Sequence, residues 1–167
     1  MYLHSIVLCG LLHALALADP LTQTSTNTST DLQLQQGSCP ETWFSHDGRC
    51  YQYVAIKKSW ADAELHCLGL DANLVSIHND NENDFIARLI QDFNPGQEYH
   101  WIGFSDASKE GHWMWTDGSR RDFAAWHKGE PDNNYRMEHC GLINFILPYE
   151  WNDMRCDNVY QFVCKAR

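Results

Sequence analysis

Residues Glu130–Asp153 read EPDNNYRMEHCGLINFILPYEWND. This one stretch, set between Trp126 and Cys156, concentrates Glu130, Asp132, Glu138, Asn152 and Asp153. Hard oxygen donors crowded in this way surround Ca²⁺, which takes about six to eight oxygens from carboxylates, amide carbonyls and water. The rest of the chain is then expected to be the scaffold that makes those oxygens converge.

Outward from that stretch, the whole chain sets the bounds. Its 167 residues predict one compact domain with a tail. Twenty-two acidic against 12 basic residues give a formal net charge of −10. That balance argues against nucleic acid, whose phosphates need Lys and Arg, and against an anionic membrane surface. It suits cation binding and solubility. Seven tryptophans are read mainly as core.

Met1–Ala18 reads as a signal peptide: Ile6–Leu17 is apolar apart from His13, and Ala16-Leu17-Ala18 is a small-x-small cleavage site. The run is shorter than the roughly 20 residues that cross a bilayer, and no later segment is apolar enough to span, so the expectation is a secreted, soluble protein without membrane insertion. Cys9 leaves with the leader. Cys39, Cys50, Cys67, Cys140, Cys156 and Cys164 remain, an even set that suits disulfides in an exported domain, with a pairing that spacing alone does not choose. A zinc site is disfavoured, since the chain has neither a CxxC pair nor HExxH.

Residues 19–38 read as a flexible Thr/Ser-rich tail, with Asn27-Thr28-Ser29 a glycosylation sequon on Asn27 and an unmodified tail the alternative. The domain is expected over 39–167. Cys39 and Cys50 bracket a small hairpin with a turn at Asp47-Gly48, leading into a strand at Tyr51–Ile56. Ser59 with Asp62 resembles a capping box at the start of a helix whose buried stripe is Trp60, Ala63, Cys67 and Leu68, with Gly69 as the stop. Leu74–Ile77 is a short apolar segment. Asn79 or Asp80 caps a second helix with Phe85, Ile86, Leu89 and Ile90 inside, ended by Asn94-Pro95-Gly96. From Trp101 the period changes to short strands: Trp101–Phe104, His112–Trp115, Leu142–Ile146, Tyr149–Trp151 and Gln161–Lys165, with a turn at Asp117-Gly118. Helices first and strands later predict an α+β fold with two helices and a largely antiparallel sheet, in which Gly118–Glu130 belongs to a long binding loop.

These residues together resemble a C-type lectin domain from Cys39 to Arg167. The resemblance rests on Cys39 and Cys50, Trp60 and Cys67, Trp101-Ile102-Gly103-Phe104, and Trp113-x-Trp115-x-Asp117-Gly118. It continues through Gly129-Glu130-Pro131-Asp132, Glu138-His139-Cys140, Trp151-Asn152-Asp153, Cys156 and Cys164. With its leader, polar tail and single domain, the chain is similar to short secreted animal lectins, including those of fish. The resemblance implies the disulfides Cys39–Cys50, Cys67–Cys164 and Cys140–Cys156, of which the long Cys67–Cys164 loop contributes about 4–5 kcal/mol on chain-entropy grounds. It implies one Ca²⁺ held by Glu130, Asp132, Glu138, Asn152 and Asp153, with Pro131 in a cis peptide bond. It further implies sugar hydroxyls bound at the same place by Glu130, Asp132, Glu138 and Asn152. No bond is broken in such a site, so an enzyme is not expected.

The triplet Glu130-Pro131-Asp132 departs from the family's Glu-Pro-Asn (mannose-type) and Gln-Pro-Asp (galactose-type) forms. Two carboxylates offer no donor, so donation falls to Asn152 or elsewhere. Asp132 is the galactose-type half, which favours galactosides over mannose-type sugars. Tyr135 is a candidate stacking ring, or an ordinary exposed loop tyrosine. Asn133 stands where the family's auxiliary calcium site has an acid, which argues against a second ion. His139 is either a pH-sensitive neighbour of Glu138 or a solvent-facing side chain. The implied role is recognition of glycans on microbial surfaces. Agglutination would further require a homo-oligomer. Competing readings are an ice-binding protein on the same fold, a sugar-independent protein-binding module, and a glycosidase using Glu130 and Glu138.

Overall fold

A computed structural model of the chain describes residues 34–96, 98–144 and 146–167. The expected leader, the Asn27 sequon and the tail as far as residue 33 lie outside the described residues.

Two strands open the domain, β1 (Phe44–His46) and β2 (Arg49–Lys58). Asp47 and Gly48 between them both take positive φ, 46° and 72°, the conformation that a two-residue hairpin matching strand twist requires. Backbone pairing begins upstream of Cys39, where Gln35 bridges Ser45. Helix α1 (Trp60–Leu68) starts at Ser59, whose Oγ accepts from the Asp62 N–H at 3.3 Å. The reciprocal half of the capping box is replaced: the short Asp62 carboxylate takes the Ser59 hydroxyl at 2.6 Å instead of reaching the cap's backbone N–H. Ala63 and Cys67 are buried, and Trp60 sends its indole N–H to Ile102 O at 2.8 Å. Leu68, expected inside, is 38% exposed. The buried face is centred on residues 60, 63 and 67, and position 68 is turned about 100° from 67.

Strand β3 (Ala72–Leu74) precedes α2 (Asp80–Phe93), which Asn79 caps by accepting from Glu82 N–H at 2.9 Å. Phe85, Ile86, Leu89 and Ile90 are buried at helical spacing, as the periodicity predicts. Five strands follow: β4 (His100–Ser105), β5 (Met114–Trp115), β6 (Cys140–Ile143), β7 (Trp151–Met154) and β8 (Tyr160–Ala166). The sheet runs β1-β2-β8-β4-β6-β7, with β3 on β8 and β5 on β4. All pairs are antiparallel except β4 with β8, which is parallel. Strand boundaries differ from the sequence reading at several places, and those of β6 and β7 matter most. β6 ends at Ile143 because Asn144 and Ile146 take positive φ (71° and 57°), and β7 begins only at Trp151 and runs on to Met154. The consequence is functional: Asn152 and Asp153 sit within β7, opposite Leu142 and Gly141.

The core lies in two parts. On the α2 side Phe104 stacks on Trp115 at 4.2 Å, and Trp151 meets Trp115 and Trp126 edge-on at 5.7 and 5.9 Å. Trp151 also donates its indole N–H to Asn83 Oδ1 at 2.9 Å. On the α1 side Ala63, Cys67, Leu74, Trp101 and Phe162 pack together. Most tryptophans are therefore core, which is where aromatic area and offset ring contacts stabilise most. The disulfides are Cys39–Cys50, Cys67–Cys164, which ties α1 to β8, and Cys140–Cys156, which closes the β6–β7 hairpin.

One polar cluster is sealed into this core. The Lys165 ammonium on β8 reaches Glu82 on α2 at 2.6 Å and the Ser76 carbonyl at 3.0 Å, while the Tyr51 hydroxyl donates to Glu82 at 2.7 Å. Every charge in it has a partner, the condition under which buried ions are tolerated.

Candidate functional site

The chain from Thr116 to His139 carries no strand, yet it is anchored to β7. His127 N–H donates to Trp151 O, Trp151 N–H to Ala125 O and Glu130 N–H to His127 O, each at 2.9 Å. Phe123, Ala125 and Trp126 pack on the core beneath. Past this anchor the Glu130–Pro131 peptide bond is cis. Asp153 on β7 then gathers the loop: its Oδ1 accepts from Asp132 N–H at 3.1 Å and its Oδ2 from Asn133 N–H at 2.9 Å. Residues about twenty apart in sequence are joined because the hairpin returns β7 beneath the loop.

Carboxylate oxygens of Glu130, Asp132 and Asp153 lie within 4.8 Å of one another. Glu138 is held nearby by two contacts, its Oε2 accepting from Asn134 N–H at 3.3 Å and its N–H donating to Asn133 Oδ1 at 3.1 Å. Asn152 is buried on β7, and its Oδ1 has no hydrogen-bond partner; nor has the buried Glu130 Oε2. Buried oxygens without donors are rare in native structures and ask for an explanation. Electrostatics point the same way. Burial, then the charges of Asp132 and Asp153, push the Glu130 carboxyl above its usual range. Burial does the same to Glu138 and Asp153, only partly opposed by the backbone N–H groups that reach them. Crowded carboxylates that resist ionisation, beside acceptor oxygens with nothing to accept from, are the donor set of a hard divalent cation. The residues fit Ca²⁺.

A second group was not read from the sequence. Asp106, 2% exposed at the end of β4, sits with Glu110 and His139. His139 Nδ1 lies 3.0 Å from Asp106 Oδ1 and 3.6 Å from Glu110 Oε2, so this histidine is engaged with acids rather than simply facing solvent. The Asn133 side-chain amide donates to Glu110 and accepts from Glu138 N–H. Asn133, at φ 45°, thus ties the second acidic group to the first. The available signal was the Asp106-x-x-x-Glu110 spacing directly after a buried strand. Tyr135 stands on a 3-10 turn (Asn134–Arg136), 83% exposed.

Among the described residues no helix is long and apolar enough to cross a membrane. Residues 56–166 match the family described as the lectin C-type domain. Ladderlectin of Oncorhynchus mykiss is 39% identical over 75% of this chain and 66% of its own length. The galactose-specific lectin nattectin of Thalassophryne nattereri is 40% identical, covering 76% of this chain and 79% of its own. Among solved structures the herring type II antifreeze protein superposes with a TM-score of 0.70 and 31% identity, over 76% of this chain and 97% of that one.

Proposed function

The chain belongs to the C-type lectin domain family, and from that premise we propose that it is a secreted lectin that binds one Ca²⁺ and, through it, a glycan. The observation that carries the proposal is the set of converging carboxylates with two buried oxygens left unpartnered, Glu130 Oε2 and Asn152 Oδ1. Glu130, Asp132, Glu138, Asn152 and Asp153 would hold the ion. Bound there, calcium would supply open coordination positions suited to two neighbouring sugar hydroxyls.

The protein's own groups set the rest. Asp153 is oriented by two backbone N–H groups, which keeps its carboxylate aimed at the loop. Glu130 and Asp132 accept hydrogen bonds from sugar hydroxyls and donate none, while the Asn152 amide is the donor. Galactosides are favoured, on the Asp132 half of the triplet and on the kinship with a relative named galactose-specific. Exposed Tyr135 offers a ring face for the apolar side of such a sugar. Recognition rather than hydrolysis follows from the same geometry: Glu130 and Glu138 belong to the cation set, so neither is free as acid or base. Glycans of microbial surfaces are the natural targets of such a site.

Calorimetric titration with Ca²⁺ and then with lactose or mannose tests this. Binding of the ion at millimolar concentration or below, followed by preference for lactose, is expected. Asp132→Asn should shift preference towards mannose while keeping the ion. Failure to bind calcium at millimolar concentration would sink the reading. Its rival is ice binding, supported by the structural likeness to the herring antifreeze protein. Thermal hysteresis in Ca²⁺ but not in EDTA, without sugar binding, would favour that rival.

A further inference from the structure

A separate concavity of about 560 Å³ is lined by Arg49, His78, Asp117, Ser119, Lys165 and Arg167, none of them in the calcium-type cluster. That size lies within the range of small-ligand sites, about 300–1,000 Å³. Its cations gather at one end of the sheet. β2 pairs with β8 with Tyr51 opposite Lys165, and Arg49 and Arg167, each two residues beyond that pair, line the same concavity. In a chain of net charge −10, this is a local gathering of positive side chains.

Their roles differ. Lys165 is spent on Glu82 beneath the floor. Arg167 gives its Nε to Asn73 Oδ1 at 3.2 Å and lies 3.7 Å from the exposed Asp71, leaving most of its fork open. The Arg49 guanidinium has no hydrogen bond or ion pair among the described residues. On the other side, Asp117 accepts from the hydroxyls of Ser76 and Ser119, both at 2.5 Å. His78 is held between Asp122 at 2.7 Å and the same two hydroxyls at 3.1 and 3.2 Å. The concavity therefore has two open guanidinium forks on one side and a carboxylate with hydroxyls on the other. Arg forks match sulfate and carboxylate groups in a bidentate way. Asp117 accepts from neutral hydroxyls and repels a second negative charge. One anionic group attached to a polyol satisfies both sides, and a polyanion does not.

We propose that this concavity binds a saccharide carrying a single anionic group, with Arg49 and Arg167 holding the anion and Asp117 and Ser119 meeting its hydroxyls, independently of calcium. The proposal does not rest on the calcium site, so its test is run in EDTA. The full chain is titrated calorimetrically with sulfated N-acetylglucosamine, with glucuronic acid and with neutral N-acetylglucosamine. One or both charged sugars should bind and the neutral one should not; which charged sugar binds tells sulfate from carboxylate. Affinity should fall with added salt. Arg49→Ala with Arg167→Ala should lower it about tenfold or more. Both side chains are solvent-exposed, so the melting temperature should hold. Ser119→Ala, a second and independent variant, should weaken binding several-fold. Equal affinity for the neutral sugar, binding that needs Ca²⁺, unchanged affinity in the folded arginine variant, or no binding by either charged sugar would each overturn the proposal.

Discussion

Glu82 and the Glu130–Asp153 group both draw carboxylates into the fold, Glu138 and Asp153 fully and Glu130 in part, and the protein treats them in opposite ways. Burial alone pushes the Glu82 carboxyl up, but hydrogen bonds from Lys165 and Tyr51, with the Lys165 charge, more than reverse it and hold it below the usual range. The Tyr51 phenol is in turn driven upward by burial and by that carboxylate. For Glu130, Glu138 and Asp153 burial also comes first; backbone N–H groups and, at Glu138, the charge of Arg155 offset it only in part, and all three stay above their usual ranges. One group is complete within the fold. The other is left without a neutralising partner, which is the state the proposed cation site requires.

The most severe way to break the contrast is to make the first group resemble the second. Lys165→Met leaves Glu82 buried without its partner and should cost about 3–5 kcal/mol in chemical denaturation. Adding Glu82→Leu should recover much of that loss; if Lys165→Met alone were neutral, the pair would not be the closed unit described. The converse is to complete the second group. Calcium at about a hundredfold over its Kd should stabilise the protein by about 2.7 kcal/mol, seen as a calorimetric shift that EDTA abolishes. Glu130→Gln should remove that shift and leave the metal-free protein at least as stable as wild type, because an unanswered charge is gone.

Asn133→Ala probes the strut between the two acidic groups. As an outer partner rather than a proposed ligand, it should weaken calcium binding about 10–100-fold without removing it. Unchanged affinity would show that the Asn133 amide bears no part of the site's order.

The gentlest test is pH. A carboxyl whose folded value is raised contributes stability that is full below its ordinary value, 4.5 for Glu130 and Glu138 and 3.8 for Asp153, and lost as pH rises through the raised one. Metal-free protein should therefore gain from these three groups on mild acidification. Glu82 has the opposite sign, its contribution being present above 4.5 and lost as pH falls through its lowered value. Buried His100, held down at about 4 by desolvation, also loses stability as pH falls from 6.5 towards that value. Comparing Glu130→Gln with wild type in EDTA isolates the first effect. Calcium stabilisation should shrink over the same acid range, since protons and the ion compete for the same oxygens. A calcium shift that grew on acidification would contradict the shared site.

Much of this was legible in the residues. The period of Phe85, Ile86, Leu89 and Ile90 placed α2, Asp47-Gly48 placed the first turn, and the crowd of oxygens in Glu130–Asp153 marked the candidate site. Each is local information, in which helical period, turn conformation and donor type are properties of neighbours along the chain. Where local signals are weak, period and strand propensity mislead. Period alone puts Leu68 inside, where the fold leaves it 38% exposed, and Tyr149 is as strand-like a residue as Trp151, although β7 begins only at Trp151.

What the chain order does not contain is who meets whom. Glu82 finds Lys165 across 83 residues, Asp153 takes the N–H groups of Asp132 and Asn133, and Arg49 and Arg167 come to line one concavity. A carboxylate in a sequence is only a charge with a reach of a few ångströms. Whether it becomes half of a sealed ion pair or one wall of a cation site depends on what folding places within that reach. Asp106 and Asn133 show it most plainly: neither is exceptional as a letter, and each takes its role from the acids and amides the fold sets beside it.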